Sequence, residues 1–283
     1  MNYRHAFHAG NFADVLKHVV LARILAYLGR KDGAWRVIDT HAGAGLYDLA
    51  GEEAERTGEW RQGVGAVFEA TLAPEVETLL APWKASVAAA NPQGGLRHYP
   101  GSPLVALSLA RPQDRLLFCE TEPGIRAALA EAVKGDARAK VLATDGWQAL
   151  SAYVPPKERR GVVLVDPPFE QPGEFQRLAD GLISAHARWQ GGVLCAWYPI
   201  KDIRAVDAFR REITRAGIPK TLRVELDIYA TRQPDRLSGC GMVVVNPPFT
   251  LADEMRTVLT ALAPLLAADG KGRVRVGWLM PER

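Results

Sequence analysis

Val162–Glu170 reads VVLVDPPFE, an apolar run that ends in an aspartate, two prolines and an aromatic ring. A run this short, β-branched and closed by proline reads as a buried strand that the chain leaves at Asp166. Working outward, comparable runs occur at Trp35–Thr40, Arg115–Glu120 and Ala139–Thr144, and Gly161–Asp166 is the fourth of the series. Gly192–Tyr198, Thr221–Ile228 and Gly241–Asn246 follow, and Arg273–Leu279 is a candidate for one further strand at the C-terminal side. Helical patterns separate most of these runs. That alternation argues for an α/β fold with a mostly parallel seven-stranded sheet covered by helices.

The helices are marked by their ends. Asn11 can cap FADVLKHVVLARILAYL, with Asp14 in its first turn and Gly29 closing it. Val15, Leu16, Val19, Val20 and Leu28 give this helix a broad apolar face, and Lys17 and His18 fall in its second turn. In EPGIRAALAEAVKG, Pro123 suits a first helical turn and Gly135 a stop. About seventy residues separate the first strand from the second, where a crossover needs only a dozen or so. Residues 50–96 therefore read as a small helical subdomain inserted into a domain formed by residues 1–49 and 97–283.

The composition excludes several classes. The chain has 283 residues, 48% hydrophobic and 24% charged, as in ordinary globular proteins. No apolar run is long enough to span a membrane, and no signal-peptide pattern opens the chain, so a cytoplasmic setting and no membrane partner are expected. Three widely spaced cysteines fit neither a disulfide framework nor a zinc site. Four of six histidines, His5, His8, His18 and His41, fall early in the chain, yet their spacing matches no metal motif, and no metal is expected. A net charge of +3 permits a nucleic-acid partner without requiring one. The tight basic clusters KERRG (Lys157–Gly161) and KGRVR (Lys271–Arg275) read as solvated turns.

Ligands of open parallel sheets bind beyond the carboxyl ends of the strands. Here the first strand runs into DTHAGAG, whose Gly43 and Gly45 allow a tight turn and close approach to a ligand. The next three strands end at Glu120, Asp145-Gly146 and Asp166. Singly, each carboxylate is more often a helix cap; four features at one sheet edge indicate a nucleotide-like cofactor. It is not NAD, because the third fingerprint glycine is replaced by Asp48, and no Gly-Lys-Ser/Thr loop cradles a triphosphate.

An adenine amino group is a poor nucleophile, since its lone pair is delocalised into the ring. A carboxylate at Asp166 and the carbonyl of Pro167, both accepting hydrogen bonds from that amino group, would localise the pair. The two prolines fix the carbonyl's direction. Phe169 can stack on the base, an interaction worth roughly 1–3 kcal/mol. A near copy, MVVVNPPFT (Met242–Thr250), offers a neutral Asn246 after a later strand, away from the glycine turn. Asp166 is expected to be catalytic and Asn246 structural.

VDPPF with DTHAGAG resembles S-adenosylmethionine-dependent amino methyltransferases of the Rossmann-like class I. YRHAFHAGNFADVLKH, DTHAGAGLYDL, AERTGEW, YPGSPL and DPPF together resemble the RlmJ family of large-subunit ribosomal RNA adenine-N6 methyltransferases, over essentially the whole chain including GWLMPE. The resemblance implies S-adenosylmethionine as cofactor, held by His18, His41, Gly43, Ser102, Glu120, Asp145, Gly146 and Asp166. It implies catalysis by Asp166, Pro167 and Phe169, the last standing where a tyrosine is common. Tyr3, His5 and Lys17 match an N-terminal motif placed near the target base. The implied partner is large-subunit ribosomal RNA, free or in an early assembly intermediate, bound by a monomer. Two other readings compete: a DNA adenine or protein glutamine methyltransferase, and a catalytically silent RNA-binding protein of this fold. The first would put label on DNA or protein, and the second would bind RNA without turnover.

Overall fold

All eight strand-like runs lie in one sheet. The computed structural model describes residues 4–229 and 237–282. Helix α1 (Phe12–Leu28) leads to β1 (Arg36–Asp39). Then come β2 (Leu46–Asp48), α2 (Glu52–Thr57), α3 (Val64–Glu69), α4 (Pro74–Ala90) and β3 (His98–Pro100). The sheet resumes through α5 (Ser102–Leu109), β4 (Arg115–Cys119), α6 (Pro123–Ala132), β5 (Ala139–Leu142), α7 (Gly146–Ala152) and β6 (Gly161–Val165). It is completed by α8 (Glu174–Arg188), β7 (Val193–Ile200), α9 (Ile203–Arg215), β8 (Thr221–Asp227), β9 (Gly239–Val245), α10 (Leu251–Leu266) and β10 (Arg273–Met280).

The five strands β5, β4, β1, β6 and β7 are mutually parallel. Strand β9 inserts antiparallel between β7 and β8, and β10 adds antiparallel to β8, which makes the eighth strand. The chain winds from β1 outward to β5, then returns to β6 on the other side of β1. The switch point, where ligands bind in such sheets, therefore lies between β1 and β6. Two apolar layers cover the faces: one carries α1, α4, α5 and α10, the other α7, α8 and α9.

Helix α1 differs from the amphipathic helix its sequence suggests. Asn11 does cap it, its side chain accepting from the N–H groups of Ala13 and Asp14. All of its 17 residues except Ala26 and Tyr27 are buried, Asp14, Lys17, His18 and Arg23 included. The reason is tertiary: α4, α5 and α10 pack around the sides that the sheet leaves open. Arg23 is neutralised by a two-pronged pair with Glu254 of α10, at 2.9 Å on each arm. Three of its charged groups thus stand on an interior helix, two of them at the sheet's carboxyl edge.

The segment between β1 and β4 begins and ends in a two-stranded ribbon, Leu46 opposite Pro100 and Asp48 opposite His98. Strands of three residues carry too little alternation to be read from sequence. The basic clusters are anchored rather than merely solvated: Arg160 donates to the Leu28 carbonyl at 2.9 Å, and Arg275 to Asp227 at 2.7 Å.

The helical segment docks on the N-terminal residues at Gly63. The Val64 N–H donates to the Gly10 carbonyl at 2.8 Å, and a Cβ on Gly63 would stand 2.0 Å from that oxygen. Gly63→Ala is expected to lower stability by about 2 kcal/mol through overpacking. Urea unfolding monitored by circular dichroism checks this, and an unchanged midpoint would contradict the docking described.

Candidate active site

The carboxyl ends of β1, β4, β5 and β6, together with the segment before α1, enclose a cavity of about 670 Å³. Lys17 stands in its wall with only 7% of its side chain exposed. The Lys17 ammonium lies 2.5 Å from Asp166 Oδ2 and 3.0 Å from Asp14 Oδ1. Asp14 is itself saturated on its other oxygen, which accepts from the Gly10 N–H at 2.9 Å and faces His5 Nε2 at 3.0 Å. Burial alone would strip Lys17 of its proton, but the two carboxylates reverse this and hold its pKa well above the ordinary lysine value. Burial likewise opposes the Asp14 charge, and His5, Lys17 and His18 overcome it, so its pKa lies well below the carboxylate range. Asp166 therefore faces the cavity beside a permanent cation.

A second group of residues forms the wall at β1 and β4. Gly43 has a positive φ of 64°, and a Cβ there would meet the Tyr47 hydroxyl at 2.4 Å, so glycine is required. Its N–H donates to Glu120 Oε2 at 3.1 Å, while Glu120 Oε1 accepts from the Glu122 N–H at 2.9 Å. Asp145 caps α7 through the N–H groups of Trp147 and Gln148. Gly146 follows without a side chain because His41 Nε2 would stand 2.7 Å from its Cβ. Thr40 donates to the Leu164 carbonyl at 3.0 Å and, having one proton, accepts from His41 Nδ1 at 2.8 Å. His41 Nε2 is left as an acceptor on a neutral ring, because burial lowers its pKa to about 4.

Deeper on this side, Ser102 donates to Asp39 Oδ2 at 2.6 Å. Burial raises Asp39 to about 6, with Ser102 opposing the shift. His18 is fully enclosed, and burial lowers its pKa to about 3. Its Nδ1 is 2.8 Å from the Tyr99 hydroxyl, whereas Nε2 is buried with no hydrogen-bond partner. An orphaned imidazole nitrogen at a cavity wall is a costly arrangement unless a ligand meets it.

Beyond Asp166 the chain holds Phe169 at a φ of 52°, a left-handed value costly for an aromatic residue. Its ring packs on Phe175 at 4.9 Å and on Trp197 at 5.9 Å. The second Pro-Pro-Phe segment lies elsewhere. Because β9 runs antiparallel to β7, its end reaches the opposite edge of the sheet. There the Asn246 amide donates to the Gly192 carbonyl at 3.0 Å, at the start of β7.

Every described residue that the sequence assigned to catalysis, cofactor or substrate by resemblance lines this one cavity: His5, Lys17, His18, His41, Gly43, Ser102, Glu120, Asp145, Gly146, Asp166, Pro167 and Phe169; Gly45 of the same turn does not. Tyr3 lies outside the described residues. The sequence reading missed Asp14 as the hub of the ion pairs, Asp39 beneath Ser102, and Trp147, Glu174 and Trp197 on the walls. Asp14 and Lys17 carried a legible signal, an i,i+3 ion pair within an otherwise apolar helix. Glu174, Trp147 and Trp197 carried none. Among the described residues, no group of three or more His, Cys, Asp or Glu could hold a metal ion. No described helix is long and apolar enough to cross a membrane.

The profile of one protein family, described as ribosomal RNA large subunit methyltransferase D, RlmJ, matches residues 32–280. Proteins named ribosomal RNA large subunit methyltransferase J from Escherichia coli and Haemophilus influenzae are 38% and 37% identical over 283 residues, all of both chains in each case. A crystal structure of a Legionella pneumophila protein superposes with a TM-score of 0.87 at 32% identity, covering 95% of this chain and 98% of that one.

The buried imidazoles make stability depend on pH. His18 and His41 stay neutral down to about 3 and 4, whereas unfolded imidazoles protonate near 6.5. Their contribution is complete above pH 6.5 and drains as pH falls through that window. Asp39 acts oppositely: raised from 3.8 to about 6, its burial is favoured below 3.8 and that benefit is lost as pH rises through 6. A falling urea midpoint is expected from pH 7 to pH 5, with the His18→Gln protein losing less by about 2 kcal/mol. Parallel losses in both proteins would contradict a neutral His18.

Proposed function

Because the chain belongs to the RlmJ family of ribosomal RNA large subunit methyltransferases, we propose that it transfers a methyl group from S-adenosylmethionine to an adenine N6 in large-subunit ribosomal RNA. The observation that carries the reading is the Asp166 carboxylate, 2.5 Å from a buried lysine, in the same cavity as the glycine-lined wall at β1 and β4.

That wall suits the proposed cofactor. Glu120 presents a carboxylate to ribose hydroxyls at the end of the second parallel strand, held in place by two backbone N–H groups. Gly43 and Gly146 let this wall close against Tyr47 and His41, where a Cβ could not stand. The orphaned Nε2 of His18, with Ser102 nearby in the wall, suits the polar amino-acid end of the molecule. His41 and Asp145 complete the wall. S-adenosylmethionine supplies, when bound, an electrophilic methyl group on a positively charged sulfur.

The chain's own residues supply the rest. Asp166 and the Pro167 carbonyl accept the two N6–H bonds, which frees the nitrogen lone pair to attack. Lys17 aims the Asp166 carboxylate, and His5 braces Lys17 through Asp14. Phe169 offers its ring to the base, its strained backbone fixed between Phe175 and Trp197. As the N6–methyl bond forms and the sulfur–carbon bond breaks, the nitrogen becomes cationic and releases a proton toward Asp166. Much of the rate comes from holding the two reactants in line.

A base can reach this enclosed cavity only after leaving its stack, at a cost of a few kcal/mol. That favours free RNA or an early assembly intermediate as substrate, acted on by a monomer in the cytoplasm. Residues 50–96 form a helical subdomain beside the cavity mouth. It holds the N-terminal segment through Glu59, whose Oε2 accepts from the Asn11 amide at 2.9 Å and lies 3.0 Å from His8 Nδ1.

Transfer of labelled methyl to protein-free large-subunit ribosomal RNA tests the reading, with label expected in N6-methyladenine. Asp166→Ala removes a charge-assisted hydrogen bond and should lower turnover roughly 10- to 150-fold or more. Asn246→Ala should leave turnover unchanged. Label on DNA or protein instead of RNA would overturn the substrate, and equal loss in both variants would overturn the assignment to Asp166.

A further inference from the structure

Two sequence features remain outside the catalytic cavity: the Asn-Pro-Pro-Phe segment and the C-terminal Gly-Trp-Leu-Met strand. The fold brings them to the same edge of the sheet. Both β9 and β10 run antiparallel to the β6–β7 direction, so both end at the sheet edge opposite Asp166. Phe249 stands there with 78% of its surface exposed, and Trp278 with 44%. These are two of the three exposed large hydrophobic residues among the described residues. Trp278 pairs with Leu222, and Leu222 pairs with Val244, two residues before Asn246.

Phe249 is not on a loose loop. Asn246 is locked at a φ of 50°, its N–H donating to the Lys220 carbonyl at 2.9 Å and its amide to Gly192. Two prolines then fix the direction of the chain. The ring meets Tyr27 edge-on at 5.8 Å, and the Arg30 guanidinium lies over the Tyr27 ring at 5.3 Å. Nearby carboxylates are already matched: Glu254 by Arg23, Asp253 by Arg256 and Glu282 by Lys220. Arg30 and Lys31 have no ion-pair partner among the described residues. The net character of the edge is aromatic and cationic.

Single exposed apolar side chains are ordinary and need no explanation. A fixed aromatic pair, Phe249 against Tyr27, with the Arg30 guanidinium over it and outside any ion pair among the described residues, is a different arrangement, and it matches single-stranded nucleic acid. Bases stack on the rings while the phosphates meet the cations. Helix α1 links the two edges, since Tyr27 lies ten residues beyond Lys17, or about 15 Å along the axis. A folded RNA that delivers its target base to one edge has ample length to reach the other.

We infer that Phe249, Trp278, Tyr27 and Arg30 form a second RNA contact, a stacking platform for unpaired bases of the same ribosomal RNA at the sheet edge opposite the catalytic cavity. This rests on RNA being the substrate. The platform contributes affinity for the large folded RNA and nothing to the chemical step.

The test compares two probes: intact protein-free large-subunit ribosomal RNA, and the shortest transcript of it that still accepts labelled methyl. Phe249→Ala should raise KM for the intact RNA about tenfold, the loss of one stacked base, with kcat unchanged. KM for the short transcript should not move. Phe249→Tyr should restore tight binding, and Arg30→Gln should weaken it with a shallower salt dependence. Equal KM for intact RNA in Phe249→Ala and wild type would overturn the inference, as would equal weakening on both probes. Sedimentation of the wild type as a dimer that Phe249→Ala dissolves, with RNA affinity unchanged, would give the surface to a second copy of the chain instead. Absence of label on any RNA by the wild type would defeat the proposed activity itself, an outcome distinct from all of these.

Discussion

The ion pair between Lys17 and Asp166 is the constraint on which the site depends. A lysine buried on an interior helix is intolerable without partners, and here it has two carboxylates within 3.0 Å. Satisfying it fixes the register of α1 against the end of β6, and with it the distance between the N-terminal segment and the Asp-Pro-Pro-Phe turn. Asp14 spreads the constraint further, tying His5 and the Gly10 N–H to the same cluster. The charge that costs most to bury therefore positions the group that meets the substrate. Removing any one member would leave the others as uncompensated buried charges.

Strand direction does the corresponding work on the larger scale. Two nearly identical tetrapeptides end apolar strands of the same sheet, yet one faces the cavity and the other the far edge. The difference is that β6 is parallel to β1 while β9 is antiparallel to β7. At the far edge an amide is the suitable side chain, because the neighbours of Asn246 are the backbone carbonyls of Gln190 and Gly192, which need donors. A carboxylate there would have faced two acceptors. At the cavity edge the neighbour is an ammonium, and the carboxylate is the suitable partner.

Much of this was legible in the chain. The strands of the large sheet announced themselves as short apolar runs, and the strand ends supplied Gly43, Glu120, Asp145 and Asp166 in advance. The antiparallel pairing of β9 was not legible, because a strand's own pattern carries no sign of its direction relative to its neighbours. Nor was the near-complete burial of α1, Asp14, Lys17, His18 and Arg23 included, which follows from the packing of α4, α5 and α10 around it. Trp197 and Glu174 could not be found at all, since nothing local marks which residues of a strand or a helix line a cavity. The ribbon of β2 and β3 was hidden by its length.

The interior position of α1 also bears on how the chain reaches this state as it is made. The helix carries a nearly continuous apolar surface and several charged groups, and it emerges before the residues that cover it. Lys17 waits 149 positions for Asp166, and Arg23 waits 231 positions for Glu254. Contacts of such long range slow folding, and exposed apolar surface promotes aggregation in the meantime. Until α10 leaves the ribosome, one side of α1 and the Arg23 charge stay uncovered. Completing the burial of this helix therefore waits until α10 has been made.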